Sequence, residues 1–386
     1  KIASFDPFDQ NSSADWFDPE WMFGVIDRFD IVIGNPPHGA NINDYKKYIL
    51  EHYKFYETRK NSASLFIEKS FEFLKPYGIL SFVVPKSITF VESWEKTREL
   101  VCKHNKLLIL IDITKSFENV RLEQVIIISQ KTYEETYTYK AGDFWDEKIK
   151  INNNITIELY DELRILPIYL EENKLNILRK LLKDSVKLSH ISETFRGLPF
   201  QSKISTSGYP ILRGENINKY LIYRKIDKVN LTESELNRPK VKQLLKPKII
   251  SQNIVAHVMT PSDRIIIMAT YDKKGFLTLD TVMNTFLTDN SFSYEYILGI
   301  LNSRLAEWFY YWFVYNRAIR TMHFDESYIG KLPIKKITYQ NKHIADQIIH
   351  KVNEILSLTQ SENYETDTSK QQKVKELEKE IDKLVY

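Results

Sequence analysis

Cysteine is almost missing. Cys102 stands alone among 386 residues, so no intramolecular disulfide can form, and no Cys/His cluster has the spacing of a zinc site. A reducing, cytoplasmic setting is expected. Glycine is sparse too, with 11 residues and no G-x-G pair, so the chain holds no glycine-rich loop of that pattern. Apolar runs are broken by charges well before the ~18 to 20 residues of a membrane span. The N-terminal KIASFDPFDQ lacks the charged, apolar and small-residue segments of a signal peptide. Net charge is only +3, which neither requires nor excludes a nucleic-acid partner, so local clustering must decide. No internal repeat suggests a solenoid.

What is present is the composition of a globular protein, with 43% hydrophobic, 27% charged and 13% aromatic residues. At roughly 100 to 200 residues per domain, the length predicts two or three domains. DWFDPEWMFG (15–24) reads as a packed loop or short turns. A strand is expected at 30–33, then a helix in SLFIEKSFEFLKPYG stopped by Pro76 and Gly78, the strand ILSFVVP, a helix at about 91–104, and strands at 107–113 and 125–129. Near-continuous apolar strands alternating with helices predict an α/β layer whose largely parallel sheet is buried on both faces.

After about residue 132 the pattern changes. Residues 132–165 are polar and rich in tyrosine, without a clear period, and 168–183 reads as a connecting helix. Short strands and turns fill 187–336, with one aromatic helix around 293–315. Its run Trp308 to Tyr315 is expected to form core rather than a stacking platform. Two helices close the chain, and in the second Val374, Leu377, Ile381 and Leu384 share one face.

The first strand runs directly into Gly34-Asn35-Pro36-Pro37-His38. In an open α/β sheet, ligands bind beyond the carboxyl ends of strands. Two prolines fix two φ angles and remove two N–H donors, leaving stiff carbonyl acceptors beside the Asn35 amide. An amine conjugated to a ring is a poor nucleophile because its lone pair is delocalised. The Asn35 side-chain carbonyl and the Pro36 main-chain carbonyl can accept its two hydrogens, favouring a tetrahedral nitrogen that attacks a methyl group. Lys86 and Ser87, after the strand SFVVP, are further candidates to line the cleft. Asn before Pro is also a common turn starter, so the strand in front of it carries the functional reading.

FDIVIGNPPHG followed by LFIEKSFEFLKPYGILSFVVPKS resembles the adenine-N6 DNA methyltransferases, specifically the TaqI-like and type IIG restriction–modification enzymes. The resemblance implies a partial Rossmann-like methyltransferase sheet. It assigns amine binding to Asn35 and Pro36, within the turn that Pro37 completes, and stacking on a flipped-out adenine to His38, where the family has Tyr, Phe or Trp. Phe117 matches by position the ring covering the other face of the base. S-adenosylmethionine is the implied methyl donor, but the loop that binds it is absent from the sequence, so an upstream methyltransferase or nuclease segment, or a subunit, is expected to supply it. Mg2+ is implied only if a nuclease domain lies elsewhere.

The blocks ILRGENINKY, RPKVKQLLKPKIISQ and ILGILNSRLAEWFYYWFVYNRAIRTMHFDESYIGKLPI resemble, in that order, the TaqI-like target-recognition domain. That implies double-stranded DNA as partner, with Arg213, Lys219, Lys246, Lys248, Arg317 and Arg320 as candidate contacts. The expected boundaries are 1–165 for the carboxyl-terminal part of the catalytic domain, 166–186 for a connecting helix, 187–338 for an α+β recognition domain and 339–386 for C-terminal helices. The competing reading is a catalytically incomplete DNA-binding specificity module. A third, methylation of a protein glutamine or an RNA amine, shares the Asn-Pro-Pro turn but not the recognition blocks.

Overall fold

The computed structural model describes residues 18–40, 42–56, 61–114, 122–145, 148–260, 263–318 and 322–386. The chain divides into two compact units, Lys1–Tyr169 and Leu170–Tyr386. No helix among the described residues is long and apolar enough to cross a membrane.

The first unit is built on a six-stranded sheet of β1 (Phe29–Gly34), β2 (Leu74–Pro85), β3 (Lys106–Asp112), β4 (Gln124–Gln130), β5 (Thr138–Trp145) and β6 (Lys148–Thr156). Their spatial order is β1-β2-β4-β3-β5-β6. The expected parallel sheet is in fact mixed. β1 and β2 run parallel, β4 runs antiparallel to both β2 and β3, and the β5–β6 pair is antiparallel. Connection length explains this, because parallel neighbours need a crossover of a dozen residues or more, usually helical, and antiparallel ones do not. The helix Ser62–Phe73 lies between β1 and β2, and the helix Glu95–Cys102 between β2 and β3. β5 and β6 are only two residues apart along the chain, and this pair occupies the stretch that shows no sequence period.

Burial corrects a second expectation. β4 alternates buried and half-buried residues, as does most of β2, so one face of the sheet is packed and the other is partly covered. Among the described residues β1 is the edge strand, with Ile31 62% and Ile33 78% exposed, not a strand buried on both faces. The helix Ser62–Phe73 ends where expected, but Pro76 and Gly78 lie inside β2. There the register on β1 jumps from Phe29↔Leu74 to Ile31↔Ile79, and Tyr77 takes φ 65°. Pro and Gly therefore mark an irregular strand start.

The second unit contains two four-stranded sheets. In one, Lys248–Gln252 is an inner strand between Ala269–Asp272 and Val282–Leu287, both antiparallel to it. The connecting helix is Glu172–Leu182. The expected aromatic helix is two helices, Tyr294–Leu301 and Arg304–Phe313. They break at Asn302-Ser303, where the Ser303 hydroxyl caps the second helix by accepting the Ala306 N–H. Phe309, Tyr310, Tyr311, Phe313 and Tyr315 are buried, making this segment core. The terminal helices are Lys342–Thr359 and Thr368–Val385, the latter burying Val374, Leu377 and Ile381.

Candidate active site

β1, β2 and β3 run in one direction, since β4 is antiparallel to its two neighbours. Asn35, Lys86 and Ile113 therefore leave the sheet at the same edge. Within the Asn-Pro-Pro-His turn, Asn35 is exposed, Pro36 is buried and His38 is half-buried. The Ser62 hydroxyl holds the turn from the first turn of the helix Ser62–Phe73. It donates to the Pro37 carbonyl at 2.6 Å and accepts from the Ala40 N–H at 3.3 Å. Gly39 between them takes φ 77°, a left-handed conformation that glycine adopts without Cβ strain.

Both ring nitrogens of His38 are enclosed without a hydrogen-bond partner among the described residues. Burial lowers its pKa below the ordinary histidine value of 6.5, because desolvation disfavours the imidazolium. The ring is therefore neutral at pH 7.

Lys86, expected to line the cleft, is buried. Its ammonium lies 2.8 Å from Asp112 Oδ2 and 3.5 Å from Glu123 Oε1, and the Tyr169 hydroxyl donates to Asp112 Oδ2 at 2.5 Å. Burial alone would raise the Asp112 pKa, but the Lys86 charge and hydrogen bonds from Lys86, Thr114 and Tyr169 outweigh it and hold the carboxyl below its usual value. Ser87 is half-exposed beside it. Phe117 and Arg320 lie outside the described residues. Among the described residues, no group of three or more His, Cys, Asp or Glu is placed to hold a metal ion.

The basic candidates separate by environment. Lys248 has no solvent exposure. Its ammonium is spent on Asp272 Oδ2 at 2.6 Å and on the Leu244 and Phe276 carbonyls at 2.6 and 2.9 Å. It cannot reach a phosphate, which corrects its assignment as a DNA contact. Lys219 is turned inward to Glu307 and the Asn302 carbonyl. Arg213 pairs with Asp227 at 2.5 Å while staying partly exposed, and Arg317 lies over the Trp312 ring at 5.1 Å. Lys246 is exposed. On the neighbouring helix Pro239–Leu244, Val241 and Leu244 are buried, which leaves Arg238, Lys240 and Lys242 exposed. Helical period applied to RPKVKQLLK puts Val241 and Leu244, three residues apart, on one face and so marks those two as the buried side. Ser62 had no such signal, because a lone serine far along the chain from the turn looks like any other helix start.

Residues 3–118 match the Eco57I restriction-modification methylase family, and residues 209–334 match the TaqI-like C-terminal specificity domain. The Methanocaldococcus jannaschii protein named as a type II restriction enzyme and methyltransferase, RM.MjaORFECS2P, is 25% identical over 325 residues, 75% of this chain and 26% of that protein. The Escherichia coli type II restriction enzyme and methyltransferase RM.Eco57I is 25% identical over 236 residues, 55% of this chain and 22% of that protein. The chain thus spans about a quarter of the length of these curated relatives. Among solved structures, the type IIL restriction-modification enzyme MmeI in complex with DNA superimposes with TM-score 0.51 at 11% identity, over 92% of this chain and 53% of that one. That last likeness is one of fold.

Proposed function

We propose that this chain, which belongs to the Eco57I-type restriction–modification methylases and carries a TaqI-like C-terminal specificity domain, serves the N6 methylation of an adenine flipped out of a specific DNA site. The observation that carries this reading is the Asn35-Pro36-Pro37-His38 turn at the carboxyl edge of the sheet, with the Asn35 side chain open to solvent. Asn35 Oδ1 and the Pro36 carbonyl accept the two hydrogens of the adenine amine and draw its nitrogen toward a tetrahedral shape with a free lone pair. The neutral His38 ring stacks on the base, compensating in part for the lost duplex stacking. The second unit positions the duplex through exposed basic side chains such as Lys246, Arg238 and Lys242, and through the exposed part of Arg213.

S-adenosylmethionine supplies the methyl group in enzymes of this kind. The residues present here form the acceptor side only, because the two glycines nearest Asn35, Gly34 and Gly39, belong to the strand end and the turn, and no glycine-rich loop accompanies them. We assign no residue of this chain to the donor. Among the described residues β1 has no strand on its outer edge, and that edge suits pairing with a further parallel strand from another segment or a subunit bearing that loop. On this reading the chain by itself binds DNA and transfers no methyl group.

Full-length protein incubated with S-adenosylmethionine and genomic DNA, followed by sequencing of modified positions, tests the proposal. N6-methyladenine at one recognition site is expected, and Asn35→Ala should abolish it while sparing DNA binding. Site-specific binding with no modification would establish the specificity-module reading instead.

A further inference from the structure

We infer that Ser62 is a positioning residue for the Asn-Pro-Pro-His turn, holding the amine acceptors and the His38 ring in register with one another. The inference rests on the amine-gripping role proposed above for Asn35 and Pro36. Pro36 and Pro37 contribute no N–H donors, so the turn has few hydrogen bonds of its own to make and needs a tie from outside. Ser62 provides two through a single oxygen, to the Pro37 carbonyl at 2.6 Å and from the Ala40 N–H at 3.3 Å. These two groups bracket His38 and Gly39, so one hydroxyl closes the segment that carries the ring. The geometry is that of a clamp rather than of a residue that touches substrate.

The clamp is itself well anchored. Ser62 is 2% exposed and opens the helix Ser62–Phe73, whose Ala63, Ile67 and Phe71 are buried. Asn61 caps that helix by accepting the Ala63 N–H at 3.0 Å, and the Ser64 hydroxyl donates to the Asn61 carbonyl at 2.7 Å. The turn is thereby referred to a packed helix that also forms the crossover from β1 to β2. A shift of about 1 Å in reacting groups is enough to slow a reaction about 100-fold, and removal of the hydroxyl releases the Pro37–Ala40 segment on that scale.

The test is steady-state methylation by the full-length protein. Ser62→Ala is expected to lower kcat about 100-fold with the KM for DNA little changed, and Ser62→Thr, which keeps the hydroxyl, to recover most of the loss. Asn61→Ala weakens the helix cap without touching Pro37 or Ala40, so it should lower the melting temperature and leave kcat near wild type. A folded Ser62→Ala protein with wild-type kcat overturns the inference, as does an equal kcat loss in Asn61→Ala, which would mean that Ser62 acts only through helix stability. If Ser62→Ala does not fold, Ser62→Thr and Ser62→Cys decide, because a thiol fills the space but bonds weakly; equal kcat in those two overturns the inference. Undiminished transfer by Asn35→Ala removes the reading of the turn itself, whereas inactive Asn35→Ala beside normal Ser62→Ala removes only the role of Ser62.

Discussion

Lys248 is the residue whose substitution separates two physical accounts most sharply. If its charge served DNA, Lys248→Met would leave stability alone, weaken binding to every sequence, and reduce the salt slope by about one phosphate contact. The structure predicts the opposite. Lys248 lies in register with Asp272 on the adjacent strand, both are buried, and the pair is 2.6 Å long. Burial lowers the lysine pKa while Asp272 opposes the shift. Asp272 also accepts N–H groups from Lys274, Gly275 and Phe276 at 3.1, 2.9 and 2.7 Å. Removing one member of such a buried pair costs roughly 3 to 5 kcal/mol, against a total stability of about 5 to 15 kcal/mol for a domain. Lys248→Met falls near the lower end, because Asp272 keeps its backbone donors. Asp272→Ala falls near the upper end, since it strands the ammonium and frees those three N–H groups together. At a urea m-value of about 2 kcal/mol per molar, the midpoint should drop by about 1.5 to 2.5 M. The assay is urea unfolding of each variant, paired with DNA binding across a salt series. An unchanged midpoint in Lys248→Met, with a shallower salt slope, would refute the account.

Three other outcomes follow from the same kind of reasoning. Loss of base stacking in His38→Ala should slow transfer by about 5- to 150-fold, the equivalent of 1 to 3 kcal/mol, while His38→Phe retains it in single-turnover assays. Because burial depresses the His38 pKa, the stability and ring neutrality it confers are complete above 6.5 and are lost as pH falls through the lower folded value. The transfer rate should therefore show no His38-dependent fall until below pH 6.5, and a step centred at or above 6.5 that His38→Phe abolishes would contradict this. Lys86→Met should destabilise the first unit by about 3 to 5 kcal/mol, visible in thermal melts. The Asp112 contribution, whose pKa is depressed, is present above 3.8 and is lost as pH falls through the folded value. Gly275→Ala places a Cβ 2.0 Å from the Leu245 carbonyl oxygen at a φ of +75°, so a melting-point drop corresponding to more than about 1 kcal/mol is expected.

Local chemistry made part of this protein legible without coordinates. Gly34-Asn35-Pro36-Pro37 follows an apolar run, and the restrictions on two prolines act within neighbouring residues, so the turn was visible as a stiff corner at a strand end. Helical spacing in 62–73 and 374–381 depends on residues a few positions apart, and those helices lie where the pattern put them. The blocks that resemble a specificity domain are likewise strings of adjacent residues.

Tertiary structure decided what depends on partners distant along the chain. Apolar content alone did not distinguish an inner strand from β1, which ends the sheet order among the described residues and whose Ile31 and Ile33 are exposed. Lys246 and Lys248 differ by two positions and look alike in sequence, yet one is exposed and the other is buried against Asp272, 24 residues away. Ser62 became visible only when the crossover helix brought it to Pro37, 25 residues earlier. A charge is a surface contact or a core staple according to what the fold sets beside it, and that neighbour is fixed by strand register and crossover rather than by the residues on either side.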